Sequence, residues 1–193
     1  MRSLQRMYDD FTAELSDELA QMVDIVDVQR WINDGRSRLG YYVGGTAALA
    51  WSTNDWTVNL PTDFCDLDDI EPASGISLPP WRVWQRQIRF DTQPTSNGTA
   101  TLFYLKLPPE ITGAADSTYP DVLDQSLTSY ALFRFFKWLA TSRSDYRRYS
   151  TIAQGNAADV PQLLAAAAGH RQDFAEGVDT HNLRAPVSFF GDS

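Results

Sequence analysis

Few residues of this chain are of a type that does chemistry on a substrate, and none stands at the spacing such chemistry requires. Nucleophilic catalysis needs a base held beside a nucleophile, typically a histidine or lysine near a serine or cysteine. Only His170 and His181 offer an imidazole, one on a helical stretch and one in the C-terminal tail. The single cysteine, Cys65, precedes Asp66, whose carboxylate disfavours a thiolate, so it reads as a small buried hydrophobe. A lone cysteine also excludes an intrachain disulfide and a cysteine-based zinc cluster. Asp66, Asp68, Asp69 and Glu71 form the densest group of acids. Paired carboxylates can serve glycoside hydrolysis or hold a metal, but these alternate with apolar residues as a solvated strand face does, and no glycine completes a calcium loop. Gly44-Gly45 lacks the spacing and the Lys-Ser/Thr ending of a phosphate loop. The expectation is no catalytic, cofactor-binding or metal-binding residue.

Charge and composition point toward contact with other macromolecules. The formal net charge is −9, which opposes a surface built to grip DNA phosphates and favours one that repels them. Arg143, Arg147 and Arg148, with Tyr146 and Tyr149, either meet an acidic partner or form a solvated junction between helices. Aromatics make up 12% of the 193 residues, with six tryptophans. That excess suits either interface anchors or a tryptophan-rich core. No stretch approaches the roughly 18 apolar residues of a transmembrane span. The first residues, Met1 to Met7, lack the apolar core of a signal peptide, so a protein made and used without crossing a membrane is expected.

The elements that must carry these residues follow from periodicity. Leu4, Met7, Tyr8, Phe11 and Leu15 recur at helical spacing, predicting a helix over 3–15 capped by Ser3. A second helix is predicted over 27–42, with Asp27 as cap, Val28, Trp31, Ile32 and Leu39 as its stripe, and Gly44-Gly45 as its end. Gly35 within it costs roughly 1 kcal/mol against alanine unless a neighbouring helix approaches closely there. Residues 51–60 read as a hairpin around Ser52-Thr53-Asn54-Asp55, and 87–91 with 99–105 as another around Asn97-Gly98. A third helix over 121–142 is apolar nearly all round, and a fourth over 145–175 contains Pro161, which kinks it or splits it at Ala157-Ala158. The predicted class is α+β: a four-helix bundle with a small antiparallel β insert between helices 2 and 3 and an extended C-terminal tail. The bundle takes 1–45 and 112–176, the insert 46–111 and the tail 177–193.

The order of several pieces resembles a known family. Val28-Gln29-Arg30-Trp31-Ile32-Asn33-Asp34-Gly35 is similar to the second-helix motif of tailed-bacteriophage head-to-tail adaptors. Trp56-Thr57-Val58-Asn59-Leu60-Pro61-Thr62-Asp63-Phe64 resembles their strand ending in Leu-Pro-x-Asp-Phe. Thr99 to Tyr104 followed by Leu107-Pro108-Pro109-Glu110-Ile111-Thr112, and then Tyr130-Ala131-Leu132-Phe133-Arg134, resemble their last strand, its exit and the next helix. The resemblance covers roughly residues 20–150. It implies a virion protein of the neck: a homo-oligomeric ring of twelve copies beneath the portal protein, a face for the downstream neck or tail protein, and double-stranded DNA passing through the lumen without specific binding. It implies no cofactor. The aromatic third helix and the tail depart from the family pattern. Arg184, Pro186, Val187, Phe189 and Phe190 are apolar or cationic residues without periodicity, expected to bind the portal or a neighbouring subunit as an extended peptide.

Two rival readings remain. A stopper or tail terminator of the same neck would be mainly β, against which the predicted helices count. A carbohydrate-binding module or enzyme would use Trp81 and Trp84 as a sugar platform, or Asp66 or Asp68 as an acid with a raised pKa. Trp81 and Trp84 would equally fill a β core.

Overall fold

The computed structural model of the protein describes residues 3–112 and 121–180. In chain order the elements are α1 (Leu4–Ala13), α2 (Asp17–Ala20), α3 (Ile25–Leu39), β1 (Val43–Trp51), β2 (Thr57–Asn59), β3 (Phe64–Pro72), β4 (Trp81–Trp84), β5 (Gln87–Phe90), β6 (Gly98–Lys106), α4 (Asp121–Thr141), α5 (Arg143–Ile152) and α6 (Val160–Thr180). The described residues fall into two compact units, one helical (3–41, 108–112 and 121–180) and one β (42–107).

Among the described residues, six helices and two three-stranded antiparallel sheets replace the expected four-helix bundle with a small β insert. The physical reason is local capping inside stretches whose apolar periodicity runs on. The Ser3 hydroxyl accepts from the Arg6 amide, as expected, but Ser16 does the same for Leu19 and starts the extra helix α2. Asp24, not Asp27, caps α3, its carboxylate accepting from the amides of Val26 and Asp27 at 2.9 Å each. Gly40 ends α3 in the left-handed region (φ 72°), so Gly44-Gly45 belong to β1 and terminate nothing. Ser142 caps α5 and separates it from α4. The predicted fourth helix is two helices. Asp159 and Gln162 cap α6 reciprocally, each accepting the other's amide (2.9 and 2.8 Å), and Pro161 sits harmlessly in that first turn.

The helical unit packs around α4. Phe135 is fully buried, and Phe11, Trp31 and Trp138 surround it with ring centroids 5.8, 6.0 and 6.0 Å away. Phe11, Phe135 and Trp138 together seal Trp31, which is 4% exposed. A Cβ on Gly35 would stand 2.7 Å from the Tyr130 ring, which is the close helix approach that glycine permits. Gly177 does the same for α6, where a Cβ would overlap Ser126. It is a packing position within α6.

The β unit has its own core of Leu49, Trp51, Leu60, Ile70, Ile88, Phe90, Leu102 and Tyr104, drawn from both sheets. Strand order is β1-β6-β3 in one sheet and β2-β5-β4 in the other. Neither predicted hairpin forms. β1 and β2 lie in different sheets, as do β5 and β6, so both turns carry the chain between sheets. Gly98 is required because a Cβ there would overlap the Trp51 ring. The tight hairpin is β4–β5, turned by Gln85 and Arg86, both with positive φ (46° and 61°). Such a turn favours Asn-Gly, and Gln-Arg hides it from sequence.

Candidate functional site

The motifs read from sequence turn out to clamp one another. Asn33 reads the backbone of Ile111 from both sides: its Nδ2 donates to the Ile111 carbonyl (3.0 Å) and its Oδ1 accepts the Ile111 amide (2.9 Å). Gln29, one turn back on α3, donates to the same carbonyl at 3.0 Å. Arg36 donates to the Pro108 carbonyl (2.9 Å) and pairs with Glu110 at 3.3 Å. The Trp-Ile-Asn helix therefore fastens the Pro-Pro exit segment. Asp34 on the same helix accepts from the Tyr130 hydroxyl (3.1 Å) and pairs with Arg134, so α3 is also keyed to α4.

The Leu-Pro-x-Asp-Phe element does comparable work in the β unit. Phe64 stacks on Tyr104 at 5.9 Å, the Tyr104 hydroxyl donates to Asp63 at 2.9 Å, and Lys106 pairs with Asp63 at 3.3 Å. Gly45 makes room for the Tyr104 ring, since a Cβ there would stand 2.8 Å from Cζ. Burial opposes ionisation of Asp63, but the hydrogen bonds from Tyr104 and Lys106 and the Lys106 charge outweigh it and hold its pKa below the ordinary carboxylate value. Burial, then the bond to Asp63, raise the Tyr104 pKa, keeping the hydroxyl a donor.

Among the described residues, α3, α4 and α6 form a groove of about 910 Å³. Its floor is aromatic: Trp31, Tyr130, Phe133 and Trp138. Cations stand over that floor, Arg30 over Trp31 at 5.9 Å, Arg38 over Tyr130 at 6.0 Å and Lys137 over Phe133 at 5.6 Å. Arg171 of α6 adds another, and Asp179 is the acid among the lining residues. A chain with net charge −9 thus gathers cations in one aromatic groove, which can bind carboxylate-bearing protein segments. Sequence reading quoted Arg30 and Arg134 only within motifs and did not single out Arg38 or Arg171. Arg30 and Arg38 lie on α3 and Arg171 on α6, and only the packing of α3 and α6 against α4 brings them together.

The residues weighed for chemistry are scattered. His170 stacks on Phe136 (5.5 Å, 7°) beside Asp173 at 3.5 Å. His181 lies outside the described residues. Cys65 is half-buried rather than buried, its thiol 3.7 Å from the Asp63 carbonyl. Asp68, Asp69 and Glu71 are exposed, and Asp66 and Asp69 accept the amides of Leu67 and Ile70. No group of three or more metal-ligating side chains occurs among the described residues. Trp81 packs partly on the β core, while Trp84 is half exposed. Arg143, Arg147 and Arg148 are exposed on α5. Tyr146 and Tyr149 fasten the turn after α5, bonding the carbonyl and amide of Ala158 at 3.3 and 3.0 Å. Arg184, Pro186, Val187, Phe189 and Phe190, the expected partner-binding residues, lie outside the described residues. No helix among the described residues is long and apolar enough to cross a membrane.

A protein-family model described as SU10 adaptor protein matches residues 6–188, a span that includes every motif above. No curated protein matches the chain.

Proposed function

The chain belongs to the SU10 adaptor protein family, the phage head-to-tail adaptors, and we propose that it forms a dodecameric ring beneath the portal of a tailed phage. The observation that carries this reading is the family match over residues 6–188. The interlocking of the motifs supports it, since Asn33 and Asp34 brace the helical unit and Asp63 the β unit, each spending its polar groups on structure. The role is structural: a phage adaptor in the virion neck.

In this reading the ring prolongs the DNA channel, and its negative charge lets double-stranded DNA slide without sticking. One face meets the portal protein and the other receives the next neck or tail protein. Arg184, Pro186, Val187, Phe189 and Phe190 dock as an extended peptide on the portal or a neighbouring subunit, with Pro186 limiting the entropy lost on binding. Heads assembled without this protein should fail to join tails, and adding it purified should restore joining. Heads that join tails equally well without it would end the reading.

A further inference from the structure

The two sheets of the β unit share one core, so their outer faces look away from each other, and those faces are chemically opposite. On sheet β2-β5-β4 the outward residues include Arg82 and Trp84 of β4 and Arg89 of β5, all exposed. Arg82 and Arg89 are directly opposed cross-strand partners. Like charges in that position repel. Arg82 finds Asp91 at 3.5 Å, whereas Arg89 makes no ion pair with a described residue. Trp56, preceding β2, and Trp84 are each 50% exposed, two of the four large apolar side chains that the described residues leave so open. An arginine pair beside the open Trp84, with Trp56 exposed at the end of β2, is a typical interface anchor in search of an anionic counterpart.

The other sheet supplies one. Its edge strand β3 carries Asp68, Asp69 and Glu71 exposed, with Asp66 half-buried. Two register shifts, at Phe64/Asp66 and Leu67/Asp69, break the edge and oppose simple strand addition, leaving side-chain contact as the available mode. β1, on the far side of β6, shows only small exposed side chains, Thr46, Ala48 and Ala50, a flat bed for indole rings.

We propose that, in the ring inferred above, the arginine and tryptophan face of β2-β5-β4 in one copy seats on the acidic β3 face of a second copy. Because the two surfaces differ, the contact is head-to-tail, which is the type that closes a ring rather than a two-fold dimer. It also offsets the repulsion between copies of charge −9.

The test is loading onto the cognate portal, read as native mass across a concentration series at physiological salt. Arg82→Glu with Arg89→Glu should raise the concentration needed for a full ring by about tenfold or more, and so should Asp69→Arg with Glu71→Arg. The chain carrying all four changes should recover most of the loss. Should a reversal unfold the unit, Arg82→Gln with Arg89→Gln carries the same test. Full rings at unchanged concentration from both reversed pairs, or losses that do not cancel in combination, would overturn the contact while leaving the ring intact. Complete rings that lose only DNA retention in the arginine variant would assign that face to DNA instead. A wild-type chain that never loads the portal overturns the ring and this contact together.

Discussion

Trp31 stands among aromatic rings in the core of the helical unit. It lies 6.4 Å from Phe11, 6.0 Å from Phe135 and 6.1 Å from Trp138, and only 4% of it is exposed, so truncation leaves a large cavity. Trp31→Ala should cost about 3–5 kcal/mol in urea unfolding; an unchanged midpoint would mean that the ring is not core. Asp63 makes a prediction about acid. Its pKa is lowered in the folded protein, so its contribution is complete above the ordinary aspartate value of about 3.9 and is lost as pH falls through the lower folded value. Asp63→Asn should therefore flatten the acid limb of the thermal-stability profile, and a limb as steep as wild type would dissociate Asp63 from it. At this scale the sequence was informative where residue type alone decides the matter. Trp31 had to be buried somewhere, and the stripe of its helix named α4 as the partner. It could not choose among the α4 rings, of which Phe135 and Trp138 make the contact, because α4 is apolar on nearly every side and periodicity gives it no preferred face.

Elements were legible where apolar stripe and cap agree. The first helix and α4 fall where periodicity puts them, whereas Ser16, Ser142 and Asp159 cut or start helices inside stretches that periodicity reads as continuous or leaves blank. Strand pairing was hidden for another reason. Asn97-Gly98 has the chemistry of a hairpin turn, but that glycine is set by the Trp51 ring pressed against it, a contact distant in sequence. Gly35 offers a direct test of such close approach. Alanine there gains roughly 0.5–1 kcal/mol in helix propensity but must displace the Tyr130 ring, and overpacking costs about 1–3 kcal/mol. Gly35→Ala should thus be net destabilising in chemical unfolding; a stabilised variant would show that α3 and α4 separate freely.

For the molecule in its assembly, charge is the quantity that sequence reports well and places badly. The value of −9 is read directly, but not that Arg30, Arg38, Lys137 and Arg171 meet in one groove, nor that acids and arginines divide between two sheets. Those groupings exist only after packing. Because α6 continues to Thr180, with Val178 packed against the helical core, the tail proposed to dock begins at residue 181. Removing 181–193 should leave thermal unfolding of the free subunit nearly unchanged while weakening attachment to the portal. Lost stability with portal binding intact would return the tail to the subunit's own core.

The most direct test of the adaptor reading is the mass of the complex formed when the purified chain is mixed with its cognate portal ring. Ring closure can require the portal as template, so the free chain has no obligation to oligomerise. The account predicts twelve copies per portal ring; a single copy, or no binding at all, would contradict it.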